Sequence, residues 1–519
     1  MRKNSVLIIS IVFVTLATVC FAGLTGSQRQ ALTDIANGGT GIGWTDLTLA
    51  QKQELKSSAN LYLSTYYSYH IPNGLNADVW FVNFNRTAVV TYPNPGYLGL
   101  GDSATFTGMY LAALALKYAN TTDESERLVL LVRINSVLDM FGVLIHVSGK
   151  TGFLARHAVI MSVPADGKVP DQYLQYYSTY DHFKNRTSSN PNLGPDAFVG
   201  ATGYTNYAWL GASERDTYVG VNFGLAAVLA KINDQNTRNK VKNIIHAIIQ
   251  DLTASDWYIR DGKSGGFLNV NLYRVSVTST LKAALLRTAA TADPTLYRSD
   301  YISAANNAPS LNTLNSSEYY ANTLEFDLMY ALNVLEAMDT TTSFDSKWLG
   351  RLQNDWNQAA THLNAYFAGV YLACTQNTSD AKAVATLLGE LADFPSAPRW
   401  WRETLSSISS STASHVLNRE IDDFLWEREP FNIVTLGNAI SVEYPGIDVF
   451  LPYWLACEAR LTDYCGQQGT VYLNADMDHD CYVNFVDLKM LADKWLIDYS
   501  FYDFASFSAQ WLNCTDPAN

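Results

Sequence analysis

The stretch Gly108–Leu116 (GMYLAALAL) constrains the chain most, because it is helical in spacing yet apolar around nearly its whole circumference. A surface helix needs only an apolar stripe, so a helix of this kind must be packed on every side. Met109, Ala112 and Leu116 recur near the helical period, as do Leu128, Val132 and Val137, and alternating strand patterns are few. The periodicity predicts helices over Leu47–Tyr69, Ser103–Tyr118, Glu124–His146, Thr217–Ile232, Thr237–Leu252 and Thr278–Ala290. It continues over Ser317–Met338, Lys347–Tyr371, Ala381–Leu391 and Asp448–Leu461. Loops rich in Gly, Asn, Tyr and Ser separate these segments into hairpins. An all-α chain folded as an (α/α)6 toroid of helical hairpins is expected. An α-solenoid is disfavoured because no fixed sequence period recurs.

Composition narrows the function classes. Only 16% of the 519 residues are charged, against roughly 25% in soluble proteins generally, and 48% are apolar, so the chain has the material for a large core. A net charge of −14 argues against a nucleic-acid partner, which requires a basic stripe. Aromatic residues reach 13%, with 31 Tyr and 12 Trp.

Both ends differ from this body. Arg2 and Lys3 precede an apolar run from Val6 to Val19, and Cys20-Phe21-Ala22 supplies a small residue before Gly23. Residues 1–22 thus read as a signal peptide, with the mature protein secreted or on the cell surface and no membrane span remaining. After Cys465, Gly466-Gln467-Gln468-Gly469 leads into a tail with an internal repeat. Asn484–Leu496 aligns with Ser500–Leu512 at an offset of 16 residues, Phe, Asp, Trp and Leu recurring in register. The expected division is therefore 1–22, 23–465 and 466–519.

The tail carries the most specific motif. Asp476, Asp478, Asp480, Asn484 and Asp487 put oxygen ligands at loop positions 1, 3, 5, 9 and 12, and Tyr482 offers its backbone carbonyl at position 7. A hard cation that takes about six to eight oxygens suits this spacing, so one Ca2+ is expected. The tail resembles a type I dockerin of the kind that ends exported planctomycete proteins. Cys481 stands at the usual glycine position, and the second repeat lacks the Asp-x-Asp-x-Asp loop. The resemblance implies a cohesin-like or cell-surface partner. Of the cysteines that remain after Cys20, Cys481–Cys514 and Cys457–Cys465 are plausible pairs, with Cys374 left over.

In the large region, polar clusters at the starts of the apolar helices are the candidate site. Asp102 and Asp216 each open such a helix after a glycine-containing loop, and either could serve as a helix cap or as a catalytic carboxyl. Arg156 and His157 follow Thr151-Gly152-Phe153, and Arg215 and Tyr218 flank Asp216. Trp209, Trp400, Trp401 and Arg402 are candidate sugar contacts, with core packing as the alternative for the tryptophans. Glu325 and Asp327 lie in a mostly apolar helix, where a buried acid needs a partner.

Asp102-Ser-Ala-Thr-Phe-Thr-Gly108, Leu154-Ala-Arg156, Ser213–Tyr218 and Asp448–Trp454 look like segments of bacterial six-hairpin glycosidase-like proteins. That resemblance, over about residues 45–461, implies a toroid with a carbohydrate-binding mouth. Three functions follow as expectations. The first is a glycoside hydrolase using Asp102 and Asp216. The second is a polysaccharide lyase, with Arg156 or Arg215 neutralising a uronate and Tyr218 or His157 abstracting the proton. The third is a glycan-binding protein without turnover.

Overall fold

A computed structural model describes residues 23–91, 96–163, 197–211, 213–260, 275–315, 317–339, 341, 343–420 and 423–462. The signal segment, the tail with its calcium ligands (Asp476, Asp478, Asp480, Tyr482, Asn484 and Asp487), and Cys465, Cys481 and Cys514 lie outside these residues. The described chain is mostly helical: α1 (Gly26–Ala36), α2 (Leu49–Tyr69), α3 (Ser103–Asn120), α4 (Glu124–Leu144), α5 (Arg215–Lys231), α6 (Gln235–Ala254), α7 (Ser279–Ala292), α8 (Pro294–Asn307), α9 (Tyr320–Glu336), α10 (Asp345–Ala359), α11 (Ala365–Thr375), α12 (Ala381–Ala392) and α13 (Ile447–Glu458). No helix among the described residues is long and apolar enough to cross a membrane.

The odd-numbered helices from α3 onward pack on one another in cyclic order. α3 lies on α5, α5 on α7 and α9, α7 on α9, α9 on α11, α11 on α13, and α13 returns to α3. Their even-numbered partners stand outside them. Of the residues in α3, Ser103–Leu116 are all buried, as the apolar circumference requires. By contrast, α4 buries one face and leaves Leu128, Val129 and Val132 exposed. The closest approach is between α3 and α5. A Cβ on Gly108 would run into the Gly220 carbonyl, one on Gly220 into the Thr105 backbone, and one on Gly224 into the Gly108 carbonyl. Three glycines at helical spacing let the two backbones touch, which brings the N-termini of α3 and α5 side by side.

The expected single helix Lys347–Tyr371 is instead two, α10 and α11, broken where Leu363 takes a positive φ of 49° and Asn364 caps α11 through Phe367 N–H. A larger correction to the all-α expectation is the presence of antiparallel sheets. β1 (Asp78–Trp80), β2 (Tyr97–Leu98), β8 (Trp400–Ser409) and β9 (Asn432–Glu443) form one sheet in the order β2-β1-β9-β8. β3 (His157–Ile160), β4 (Ala197–Val199) and β5 (Tyr207–Leu210) form a second, ordered β3-β5-β4, and β6 (Tyr258–Ile259) pairs with β7 (Val275–Ser276). The long β8–β9 ribbon is largely exposed, with Leu405 and Ile408 facing water, so neither face offers the in–out alternation that marks a strand in sequence. Its connection, however, returns to the helix ends.

Candidate functional site

Helix starts set the position of the site. Thr48, Asp123, Asp234 and Asp380 cap the outer helices α2, α4, α6 and α12 with side-chain oxygens on backbone N–H groups. Of the inner helices, α7 and α11 are capped by Thr278 and Asn364, whereas at α3, α5, α9 and α13 the N-cap residue makes no side-chain cap hydrogen bond. Asp102 therefore does not act as a side-chain cap; its carboxylate turns to Arg156 instead. Uncapped helix starts leave N–H groups and positive dipole ends, which favour negative charge nearby.

Arg156 gathers that charge. Its Nη2 lies 3.5 Å from Asp102, 3.8 Å from Asp216 and 4.0 Å from Glu214. The guanidinium is only 9% exposed, whereas the three carboxylate side chains are 32%, 19% and 47% exposed, so the cluster has a buried floor and an open side. Backbone bonds fix the arginine: its N–H donates to Leu210 O (3.0 Å) and its carbonyl accepts from Ala104 N–H (3.1 Å), tying it to β5 and the first turn of α3. Asp216 Oδ1 accepts from Thr217 N–H at 2.9 Å, which leaves Oδ2 for Arg156.

More acids enter from elsewhere. Asp78 on β1 and Asp423 in the β8–β9 connection share a hydrogen bond. Burial raises both, Asp78 to about 6 and Asp423 well above the carboxylate range; the neighbouring Asp78 adds to the second shift. Asp423 thus holds the proton and Asp78 accepts from it. Gly99 makes room for the pair. It has a positive φ of 68°, and a Cβ there would lie 3.0 Å from a carboxyl oxygen of each.

Glu427 closes the short 3-10 turn Leu425–Glu427, which rests on α9. Leu425 N–H donates to Asp448 Oδ2 (3.1 Å), Trp426 Nε1 to Asp448 O (2.6 Å), and Asn364 Nδ2 to Trp426 O (2.8 Å), pinning the turn to the starts of α13 and α11. Asp448 is itself paired with Arg399. Glu427 is half-buried. Burial raises its carboxyl well above the usual range, and the charges of Asp102, Asp423, Asp216 and Asp327 push it further. A carboxylic acid that stays protonated beside carboxylates is the pairing that general acid and base chemistry requires.

Of the residues singled out in sequence, Asp102, Arg156 and Asp216 come together, and Arg215 stands exposed beside them. His157 is fully buried, and burial lowers it to about 3. Its Nδ1 lies 2.9 Å from Ser103 Oγ, which donates to Asn76 O, so His157 is the neutral donor that props the start of α3. Tyr218 is 1% exposed; its hydroxyl accepts from Leu154 N–H at 3.3 Å, and burial raises it far above its ordinary value. Trp209 is core, against Phe153 and Phe198, with Nε1 on Val199 O. Trp400 packs edge-on against Phe81 and Phe84, beside the half-buried Trp401, and Arg402 is exposed with Nε on Gly437 O.

Sequence reading missed Asp78, Asp423, Glu427 and Tyr320. The run Asp422-Asp423-Phe424-Leu425-Trp426-Glu427 does carry a signal, acids interleaved with buried aromatics. Tyr320 is exposed at the start of α9, within electrostatic reach of Asp216 and Glu214. Among the described residues no group of His, Cys, Asp and Glu has a geometry that would hold a metal ion. Comparison of the chain with family models, curated proteins and solved structures finds no match.

Proposed function

We propose that this mouth hydrolyses glycosidic bonds, with Glu427 as general acid and Asp102 or Asp216 as the base that activates water. The acid's proton goes to the leaving oxygen as the C–O bond to the anomeric carbon breaks. Water forms the new C–O bond and gives its proton to the carboxylate. The observation that carries this reading is the partly exposed Glu427, its carboxyl raised well above the usual range by burial and by the charges of neighbours that include the two carboxylates sharing Arg156. Exposed Tyr320 supplies an aromatic face for a sugar ring. Proton abstraction by His157 or Tyr218, as a lyase requires, is less well served, because both are buried and already hydrogen-bonded.

The cyclic packing supports reading the helices as an (α/α)6 toroid of pairs α3/α4, α5/α6, α7/α8, α9/α10, α11/α12 and α13/α2, with α1 added. Residues 466–519 are proposed as a dockerin-like attachment module holding one Ca2+ through the Asp476–Asp487 loop, on a secreted or surface-bound protein. Calorimetric titration of the full chain with CaCl2 is expected to give one site, lost in Asp476→Asn with Asp480→Asn. Reducing-sugar release from a panel of neutral and amino-sugar glycans tests the activity. Turnover that Glu427→Gln leaves unchanged would remove the assignment.

A further inference from the structure

Resting on the reading of the mouth as a sugar cleft, the charge and the unmet hydrogen bonds around Arg156 specify the sugar's class. Asp78, Asp102, Glu214, Asp216, Asp423 and Glu427 surround the cluster. Among the described residues, Arg156 is the buried arginine that Asp102, Glu214 and Asp216 share, while Arg399 pairs with Asp448 and also acts on Asp78 and Asp423, and Arg215 is exposed to solvent. At 3.5–4.0 Å, the contacts of Arg156 are ion pairs longer than a good hydrogen bond. Its buried Nε has no hydrogen-bond partner, and Asp78 Oδ1, on a residue 4% exposed, has none either. A native protein rarely leaves such groups unmet. They therefore ask for a ligand that brings an acceptor to the guanidinium and donors, or positive charge, to the carboxylates.

We infer that the mouth binds a sugar bearing a free ammonium next to a hydroxyl, as a 2-amino-2-deoxy sugar unit does. The hydroxyl oxygen accepts from Arg156, and the ammonium donates to Glu214 and Asp216. A uronate brings its carboxylate against three others that already share Arg156, with the solvent-exposed Arg215 as the other cation beside them. An N-acetylated amino sugar keeps the shape and loses the charge.

The test is calorimetric binding of the full-length protein to glucosamine oligomers, to the same oligomers after N-acetylation, and to oligogalacturonate of matched length. The glucosamine oligomers are expected to bind on the order of tenfold more tightly than the acetylated ones, as a charge-assisted hydrogen bond supplies, and the advantage shrinks with added salt. Oligogalacturonate is expected not to bind. Glu214→Gln, at a half-exposed side chain, erodes the glucosamine advantage and spares the acetylated oligomer. Equal or tighter binding of the acetylated or acidic oligomer overturns the inference, as does a Glu214→Gln variant with an unchanged ratio. Binding of glucosamine oligomers without cleavage sinks the hydrolase reading and leaves this one standing; cleavage of neutral glycans alone does the reverse.

Discussion

Two arginine–carboxyl clusters of this molecule invite comparison, one at the mouth and one between α9 and α10. In the second, Arg351 donates Nε to Glu325 at 2.7 Å, Nη2 to the same carboxylate at 2.6 Å and Nη1 to Pro309 O at 2.8 Å. Glu325 shares a hydrogen bond with Asp355, and burial raises both, Asp355 to about 7. The contacts of Arg351 there are all short and the groups are enclosed. At the mouth the same residue types stand 3.5–4.0 Å apart with half-exposed carboxylates. One cluster is closed on itself and joins two helices; the other is held open by backbone bonds to its arginine. Composition does not separate them. Contact length and access do.

The largest effect should fall on turnover. Glu427→Gln is expected to lower kcat by about 10²–10⁴-fold while leaving the melting temperature near the wild-type value, and Asp102→Asn or Asp216→Asn should lower kcat as well. Arg351→Met should reverse that pattern. Removing one partner of a buried pair destabilises by about 3–5 kcal/mol, so denaturant unfolding should register the loss, and turnover per folded molecule should survive. If Arg351→Met instead removes turnover without a change in stability, the two clusters have been assigned the wrong way round.

A smaller effect distinguishes the clusters by pH. Asp355 titrates near 7 in the folded chain and near about 4 when unfolded. Between these values the folded state binds more protons, so stability falls as pH rises through that window. Asp355→Asn should flatten this part of the stability curve, read by thermal unfolding across pH. Smallest is Gly99→Ala, which presses a methyl on Asp78 and Asp423 in a left-handed backbone. It should destabilise by about 1 kcal/mol or somewhat more and shift the pH profile of turnover; a shift in stability alone would mean the pair is structural.

Much of the helical frame is legible in the sequence, because fully apolar circumferences such as Gly108–Leu116 leave a helix no alternative to the interior. α3 begins at Ser103 and α4 at Glu124, as periodicity predicts. Asp102, Arg156 and Asp216 were singled out in sequence and come together in the structure, although a helix cap was as good a reading for the two acids as a catalytic carboxyl. Glu325 and Asp327 find the partners that burial demands, in Arg351 and the Tyr366 hydroxyl. What escaped was set by long-range return of the chain. Asp423 and Glu427 reach the mouth only because the β8–β9 ribbon leaves the helices and its connection is pinned back by Asp448 and Asn364. No local period encodes that path. His157 and Tyr218 carry catalytic chemistry in their side chains, yet packing turned His157 into a support for the start of α3 and Tyr218 into one for the loop at Leu154.

The most direct test of the central claim is reducing-sugar release by the wild-type full-length protein and its Glu427→Gln variant, with folding of both verified by thermal unfolding. The paired-carboxyl account predicts turnover by the wild type on an amino-sugar or neutral glycan, and a loss of at least about 10²-fold in the variant. Equal turnover by the two proteins, or products bearing the ultraviolet absorbance of an eliminated uronate, would contradict it.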